Sequence, residues 1–158
     1  QGGVHQYTLV YLHPFRSGVD DYVRKAHFFR TAGLRVVLPR APKRPITIFG
    51  GRCMMSWYDY LTDNGGHSQD AVDAASLDDT RAWLSVLLDS ELTLLQAGAP
   101  GEEDSAGSRL FVGGCSQGCG VALDLALSYP VRLGGFVGVV GHPLSVTPFG
   151  RHLDMPLH

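Results

Sequence analysis

The stretch from Arg109 to Pro130, RLFVGGCSQGCGVALDLALSYP, constrains the fold more than any other part of the chain. Leu110, Phe111 and Val112 form an apolar run bounded by glycines, the mark of a strand buried on both faces. GCSQG follows, an instance of G-x-S-x-G. From Cys119 to Tyr129 the pattern turns helical, with Val121 and Leu125, and Ala122 and Ala126, at i, i+4 spacing, and Pro130 stops it. A serine held clear of a sheet must sit on a sharp strand-to-helix corner. Residues two before and two after it crowd that corner, so glycine is needed at 114 and 118. The corner also aims the Gln117 N–H and the helix N-terminus at the space above the Ser116 hydroxyl, where an oxyanion would form. The five-residue spacing is a weak signal alone. The strand before it and the helix after it make Ser116 a candidate nucleophile.

At 158 residues the chain is read as one domain, residues 1–158, long enough for a core. A net charge of −2 gives no electrostatic case for nucleic acid or an anionic membrane as partner. No apolar run is long enough for an integral membrane segment, and no signal peptide is visible. Three cysteines without framework spacing fit reduced thiols and a cytoplasmic setting. Cys115 and Cys119 flank the corner and read as small buried residues, not as a redox pair or metal ligands. The chain begins at Gln1 and stops at His158, just where 153–157 starts to look like another strand. It is therefore expected to be a piece of a longer polypeptide.

Tyr7–Leu12 reads as a buried strand, and 13–18 as the loop after it. Val19–Thr31 has helical spacing, with Gly33 as its C-terminal cap. Leu34–Leu38 is a second strand. Residues 39–51 are rich in proline and basic residues and read as irregular chain, either a solvated loop or a cation cluster for an anionic substrate. Met54, Met55, Trp57, Tyr58 and Tyr60 follow on non-repetitive chain. They suit a core or an adaptable lining for a lipid-like or aromatic substrate, and the sequence leaves both open. Residues 63–73 read as a surface loop. Ser76 with Asp79 opens a long helix in capping-box fashion, its buried face formed by Trp83, Leu84, Leu87, Leu88, Leu92 and Leu95. Residues 98–108 form an exposed connection. Leu133–Val140 is the next buried strand.

Apolar strands alternating with helices predict an α/β fold, a mostly parallel sheet with helices on both faces. Chemistry in such a sheet sits beyond the carboxyl ends of the strands. Ser116, Phe15 and His142 each follow a strand and share that edge.

Four segments together resemble a known family: LHPF at Leu12–Phe15, APKRPITIFGG at Ala41–Gly51, SWYDYL at Ser56–Leu61 and GCSQGCGVAL at Gly114–Leu123. They are similar to the phospholipase/carboxylesterase family of α/β-hydrolases, which includes acyl-protein thioesterases and lysophospholipase-like carboxylesterases. The resemblance implies a serine hydrolase of carboxylic esters or thioesters working through an acyl-enzyme. Its substrate would be a small acyl ester or an acylated protein. No organic cofactor and no metal are implied, and the oligomeric state is left open. Ser116 would be the nucleophile, with the backbone N–H groups of Gln117 and Phe15 holding the oxyanion. His13, Trp57 and His142 are candidates for the cleft wall.

The oxyanion loop departs from the family pattern, since Pro14 and Arg16 stand where it has glycines. The family's aspartate and histidine follow later strands, so this chain is expected to be truncated before the last strands and nearly inactive alone. Asp124 is expected inside the helix, away from the cleft edge. Asp154, His152 and His158 offer no substitute. A non-catalytic binding module, or an inactive fragment, on the same fold is the alternative. Losing the last strands would expose a sheet edge, and the isolated piece is expected to aggregate or fold poorly.

Overall fold

Short β-branched and aromatic runs become strands when long-range pairing can bury both of their faces. The computed structural model, which describes residues 5–24, 30–98 and 106–147, has six strands, of which β1 and β5 are the most buried: β1 (Tyr7–Leu12), β2 (Leu34–Val37), β3 (Lys43–Ile46), β4 (Arg52–Met55), β5 (Leu110–Cys115) and β6 (Gly135–Val139). Three helices accompany them: α1 (Asp20–Arg24), α2 (Ala74–Gly98) and α3 (Gln117–Ser128). The main sheet has the order β2-β1-β5-β6 and every pair in it is parallel. Leu12 pairs with Gly114 and Cys115 with Val139, so the carboxyl ends of β1, β5 and β6 lie level.

Alternation along β1 assigns the layers. Thr8, Val10 and Leu12 are buried, and the Thr8 hydroxyl reaches Glu91 of α2 at 3.3 Å. Tyr11 points the other way, its ring 5.4 Å from that of Tyr22 on α1. The sheet is thus flanked by helices on both faces, an α/β fold as expected. Leu77, Leu84, Leu88, Leu92 and Leu95 of α2 and Val121 and Leu125 of α3 fill the core over one face.

Several local expectations need correction. The segment read as irregular, 39–51, contains β3, which pairs with β4 just after it as an antiparallel hairpin with Pro45 opposite Cys53. Proline is tolerated there because β3 and β4 form a separate two-stranded unit that keeps an open edge. The cap of helix α2 lies three residues before the expected one. Asp73 caps it by accepting the Ser76 N–H at 2.8 Å, while the Ser76 hydroxyl donates back to the Asp73 carbonyl at 2.9 Å. Trp83 is not on the buried face of α2 but 43% exposed, its ring lying 6.0 Å from Trp57 at an interplanar angle of 21°. α1 is described over Asp20–Arg24 only, so most of the expected helix 19–31 lies outside the described residues or, at 30 and 31, is not helical. The expected strand near 153–157, with His152, Asp154 and His158, also lies outside them.

β6 was expected to be buried and is not. Val137, Val139 and Val140 are 49%, 45% and 83% exposed, because among the described residues no strand pairs with its outer side. Such an edge presents unpaired amides and apolar side chains to other copies. Val137→Lys is expected to reduce self-association on concentration, read by light scattering, at a stability cost of no more than about 1 kcal/mol for a half-exposed valine.

Candidate active site

β5 ends in two glycines and a cysteine and α3 starts one residue later, so the chain must reverse at residue 116. Ser116 takes φ 52° and ψ −120°, a conformation that side chains rarely adopt. The surroundings hold it there. Its N–H donates to the Val139 carbonyl at 2.9 Å, and its carbonyl accepts from the Cys119 N–H at 2.9 Å and the Gly120 N–H at 3.2 Å. The residue is exposed, and its hydroxyl makes no hydrogen bond among the described residues. A Cβ at Gly114 would stand 2.5 Å from the Gly118 carbonyl carbon and 2.8 Å from the Cys119 nitrogen. A Cβ at Gly118 would stand 2.7 Å from the His13 oxygen and closer still to the Leu12 oxygen. Both glycines are required because backbone passes where a side chain would begin.

The loop after β1 lies against the first turn of α3. The N–H groups of Phe15 and Gln117 find no acceptor among the described residues. Arg16, where the family pattern has glycine, takes φ 61°, and its N–H is bonded to the Met55 carbonyl at 3.0 Å. Its guanidinium lies 5.4 Å over the Phe49 ring, which in turn stacks on Phe15.

The SWYD and GCSQG segments are one physical unit. The Gln117 side chain is buried, and its Nε2 donates to the Ser56 hydroxyl at 2.8 Å and the Tyr58 carbonyl at 3.1 Å. Its Oε1 accepts the Trp57 N–H at 3.0 Å. Asp59 closes the hairpin by accepting from the N–H and hydroxyl of Thr47, at 2.7 and 2.6 Å. Arg44 belongs to the same scaffold. Half-buried, it donates to the carbonyls of Ser56 and Ser76, both at 3.0 Å, and to the Thr80 hydroxyl at 3.1 Å. Arg40 pairs with Asp20 at 3.2 Å. Arg44 is thus tied to protein groups, while the Arg40–Asp20 pair stays on the surface.

Of the three residues expected on the cleft wall, the structure brings only His142 beside Ser116, in a small cleft with Tyr58, Tyr60, Gly66 and Gly141. His13 and Trp57 are 1% and 0% exposed and sit beneath it. Neither lines that cleft; they pack on each other, the rings 5.0 Å apart and the Trp57 indole N–H donating to the His13 carbonyl at 2.7 Å, a contact across 44 residues that local sequence does not encode. The His13 Nδ1–H donates to the Pro14 carbonyl at 2.8 Å and its Nε2 accepts the Ala41 N–H at 3.0 Å. Burial pushes this imidazole below its usual pKa. The Pro14 bond opposes that shift, and the Arg40 charge reinforces it. Burial likewise raises the Tyr58 and Tyr60 phenols. Of the aromatic residues left open between core and lining, Trp57 is core, while Tyr58 and Tyr60 do both. His142 places both ring nitrogens against carbonyl oxygens, Nδ1 at 3.0 Å from Pro143 and Nε2 at 3.1 Å from Gly66.

Gly66 belongs to a turn that the sequence marks only as a polar loop. Asp70, 5% exposed, organises it by accepting the N–H groups of Asn64 at 2.6 Å and Gly66 at 2.7 Å and the Thr62 hydroxyl at 3.2 Å. Burial raises the Asp70 pKa, but these donors outweigh it and the net shift is downward. Asp124 is fully buried in α3, as expected away from the cleft. Its carboxylate takes a bidentate pair from Arg81 at 2.6 and 2.7 Å and the Thr147 hydroxyl at 2.7 Å.

The chain is similar to several known proteins. The acyl-protein thioesterase 1 of Schizosaccharomyces pombe is 30% identical over 138 residues, covering 87% of this chain and 56% of that protein. The Yarrowia lipolytica acyl-protein thioesterase 1 is 28% identical over 144 residues, covering 87% and 58%. The crystal structure of Zea mays acyl-protein thioesterase 2 superimposes with a TM-score of 0.68 at 25% identity, over 89% of this chain and 59% of that one. The chain spans less than two thirds of the length of these relatives. A family model for phospholipases and carboxylesterases matches residues 3–153, nearly the whole chain. This protein therefore belongs to the phospholipase/carboxylesterase family, and its fold is that of an α/β-hydrolase.

Proposed function

We propose that this chain carries the nucleophile and the oxyanion donors of a serine hydrolase acting on carboxylic esters or thioesters. The Ser116 Oγ attacks the acyl carbonyl carbon, and its proton passes to a histidine acting as general base. The Phe15 and Gln117 amides hold the charge that develops on the carbonyl oxygen. The alcohol or thiol leaves protonated, and water, activated by the same base, releases the acid from Ser116. The substrate class is a small acyl ester or an acylated protein. The observation that supports this most is the exposed serine on a strained corner, followed at once by a Gln117 amide with no acceptor among the described residues, with the loop that carries the Phe15 amide packed against Gly118.

The second reading, a non-catalytic binding module, draws on Arg16 at a left-handed position in the oxyanion loop and on a Ser116 hydroxyl without an imidazole partner among the described residues. Labelling with a fluorophosphonate, with imidazole added as the base, separates the two. The chain is expected to be labelled on Ser116 and Ser116→Ala to stay unlabelled. Turnover of a short-chain nitrophenyl ester by the chain without imidazole should remain near the uncatalysed rate. No label on Ser116 overturns the hydrolase reading. Rapid turnover without imidazole would instead make His142 the base.

A further inference from the structure

The two amides proposed as oxyanion donors lie on segments about a hundred residues apart in sequence, and something must fix their separation. The parallel ladder does so only up to Leu12 and Gly114. Beyond it, His13–Arg16 pairs with no strand of the main sheet, and its backbone reaches β4 only where the Arg16 N–H meets the Met55 carbonyl at 3.0 Å, past Phe15. Resting on the serine-hydrolase reading above, we propose that Trp57 is the positioning residue that sets the spacing of these two donors.

Trp57 touches both segments at once. Its backbone N–H is bonded to Gln117 Oε1 at 3.0 Å, and its indole Nε1–H to the His13 carbonyl at 2.7 Å. The same His13 oxygen is what Gly118 of α3 packs against. Movement of the indole is blocked on two sides, by the His13 ring at 5.0 Å and the Trp83 ring at 6.0 Å, and the Trp57 carbonyl is tied to the Thr80 hydroxyl. His13 has both ring nitrogens engaged, so its carbonyl cannot turn without breaking the Pro14 or Ala41 contact. Pro14 removes one further N–H that could have anchored the loop to the sheet. Trp57 is thus a spacer with a fixed length: Gln117 carboxamide, Trp57 peptide, indole, and the His13 carbonyl two residues before the Phe15 amide. Misplacing a preorganised donor by about an ångström costs up to about 10²-fold in rate.

The test is the rate of Ser116 labelling by a fluorophosphonate with added imidazole, resolved into the probe's apparent affinity and the limiting rate of phosphonylation. Two variants remove the indole donor: Trp57→Phe, and Trp57 replaced by 3-benzothienylalanine, which keeps the bicyclic shape and puts sulfur where the N–H was. Leu95→Ala, a core truncation at the far end of α2, supplies a variant weakened without touching the loop. We expect the limiting rate to fall about tenfold or more in both Trp57 variants with affinity changed less than about twofold, and to be unchanged in folded Leu95→Ala. If Trp57→Phe does not fold, the isosteric variant decides. A limiting rate within about twofold of the parent in that variant overturns the spacer role, as does a change confined to affinity or a fall in Leu95→Ala of the same size. Parent chain left unlabelled on Ser116 overturns the hydrolase reading and this role with it. Parent and variants labelled alike removes the spacer role alone.

Discussion

Gly118→Ala is expected to destroy the elbow. The new Cβ would lie within 2.7 Å of the His13 oxygen and nearer still to the Leu12 oxygen, both backbone atoms at the end of the central strand. Neither can yield without opening the β1–β5 ladder at Leu12–Gly114. Overpacking against flexible side chains costs about 1–3 kcal/mol, and rigid backbone puts this case at about 3 kcal/mol or more. The consequence for chemistry is larger than the loss of stability. Separating α3 from the loop after β1 moves the Gln117 amide away from Phe15, and Ser116 labelling should fall by about 10²-fold or more in whatever fraction folds. Gly120→Ala, two residues further along the helix, is the measured contrast. Its Cβ would meet the Leu144 side chain at 3.0 Å and the His142 oxygen at 3.1 Å, so a shift of a few tenths of an ångström relieves it. Denaturant unfolding and labelling on the same samples give both numbers.

Asp124→Ala should be the most destabilising change outside the elbow. The carboxylate is fully buried and takes two guanidinium bonds from Arg81 and the Thr147 hydroxyl. Removing it leaves Arg81, whose side chain is 23% exposed, facing a void, and only its contacts with Asp78 and the Val146 carbonyl remain. Breaking a buried pair from one side costs about 3–5 kcal/mol, and the residual Asp78 contact places this one near about 3 kcal/mol. Joint replacement, Asp124→Leu with Arg81→Met, should recover most of that loss, because no unpaired charge is then left behind. The denaturant midpoint of the single and double variants checks both statements. The same pair holds Thr147 and Val146, and so anchors the segment after β6 that carries His142 into the cleft.

The main sheet and the corner were legible because they depend on short-range features. Apolar runs such as YTLVYL and LFV admit few structures other than buried strands, and GCSQG between a strand and a helix admits one kind of turn. The hairpin β3–β4 was hidden, since Pro45 and the basic residues around it look like loop until the partner strand is known. The cap of α2 was misplaced by three residues, because Asp73 and Ser76 form the reciprocal pair and Ser76 with Asp79 only resembles one. β6 read as buried from composition alone, whereas burial is decided by what pairs alongside.

The sequence by itself determined that Ser116 would stand on a strand-to-helix corner requiring glycine on either side, because that requirement is steric and local. It also determined the family, through motifs whose order in the chain is sufficient. Only the tertiary structure decided what those motifs do to one another. Gln117, Trp57 and His13 meet through side-chain and carbonyl contacts spanning more than forty residues. Nothing in the local pattern around any of the three specifies the distance between segments that closing the sheet imposes.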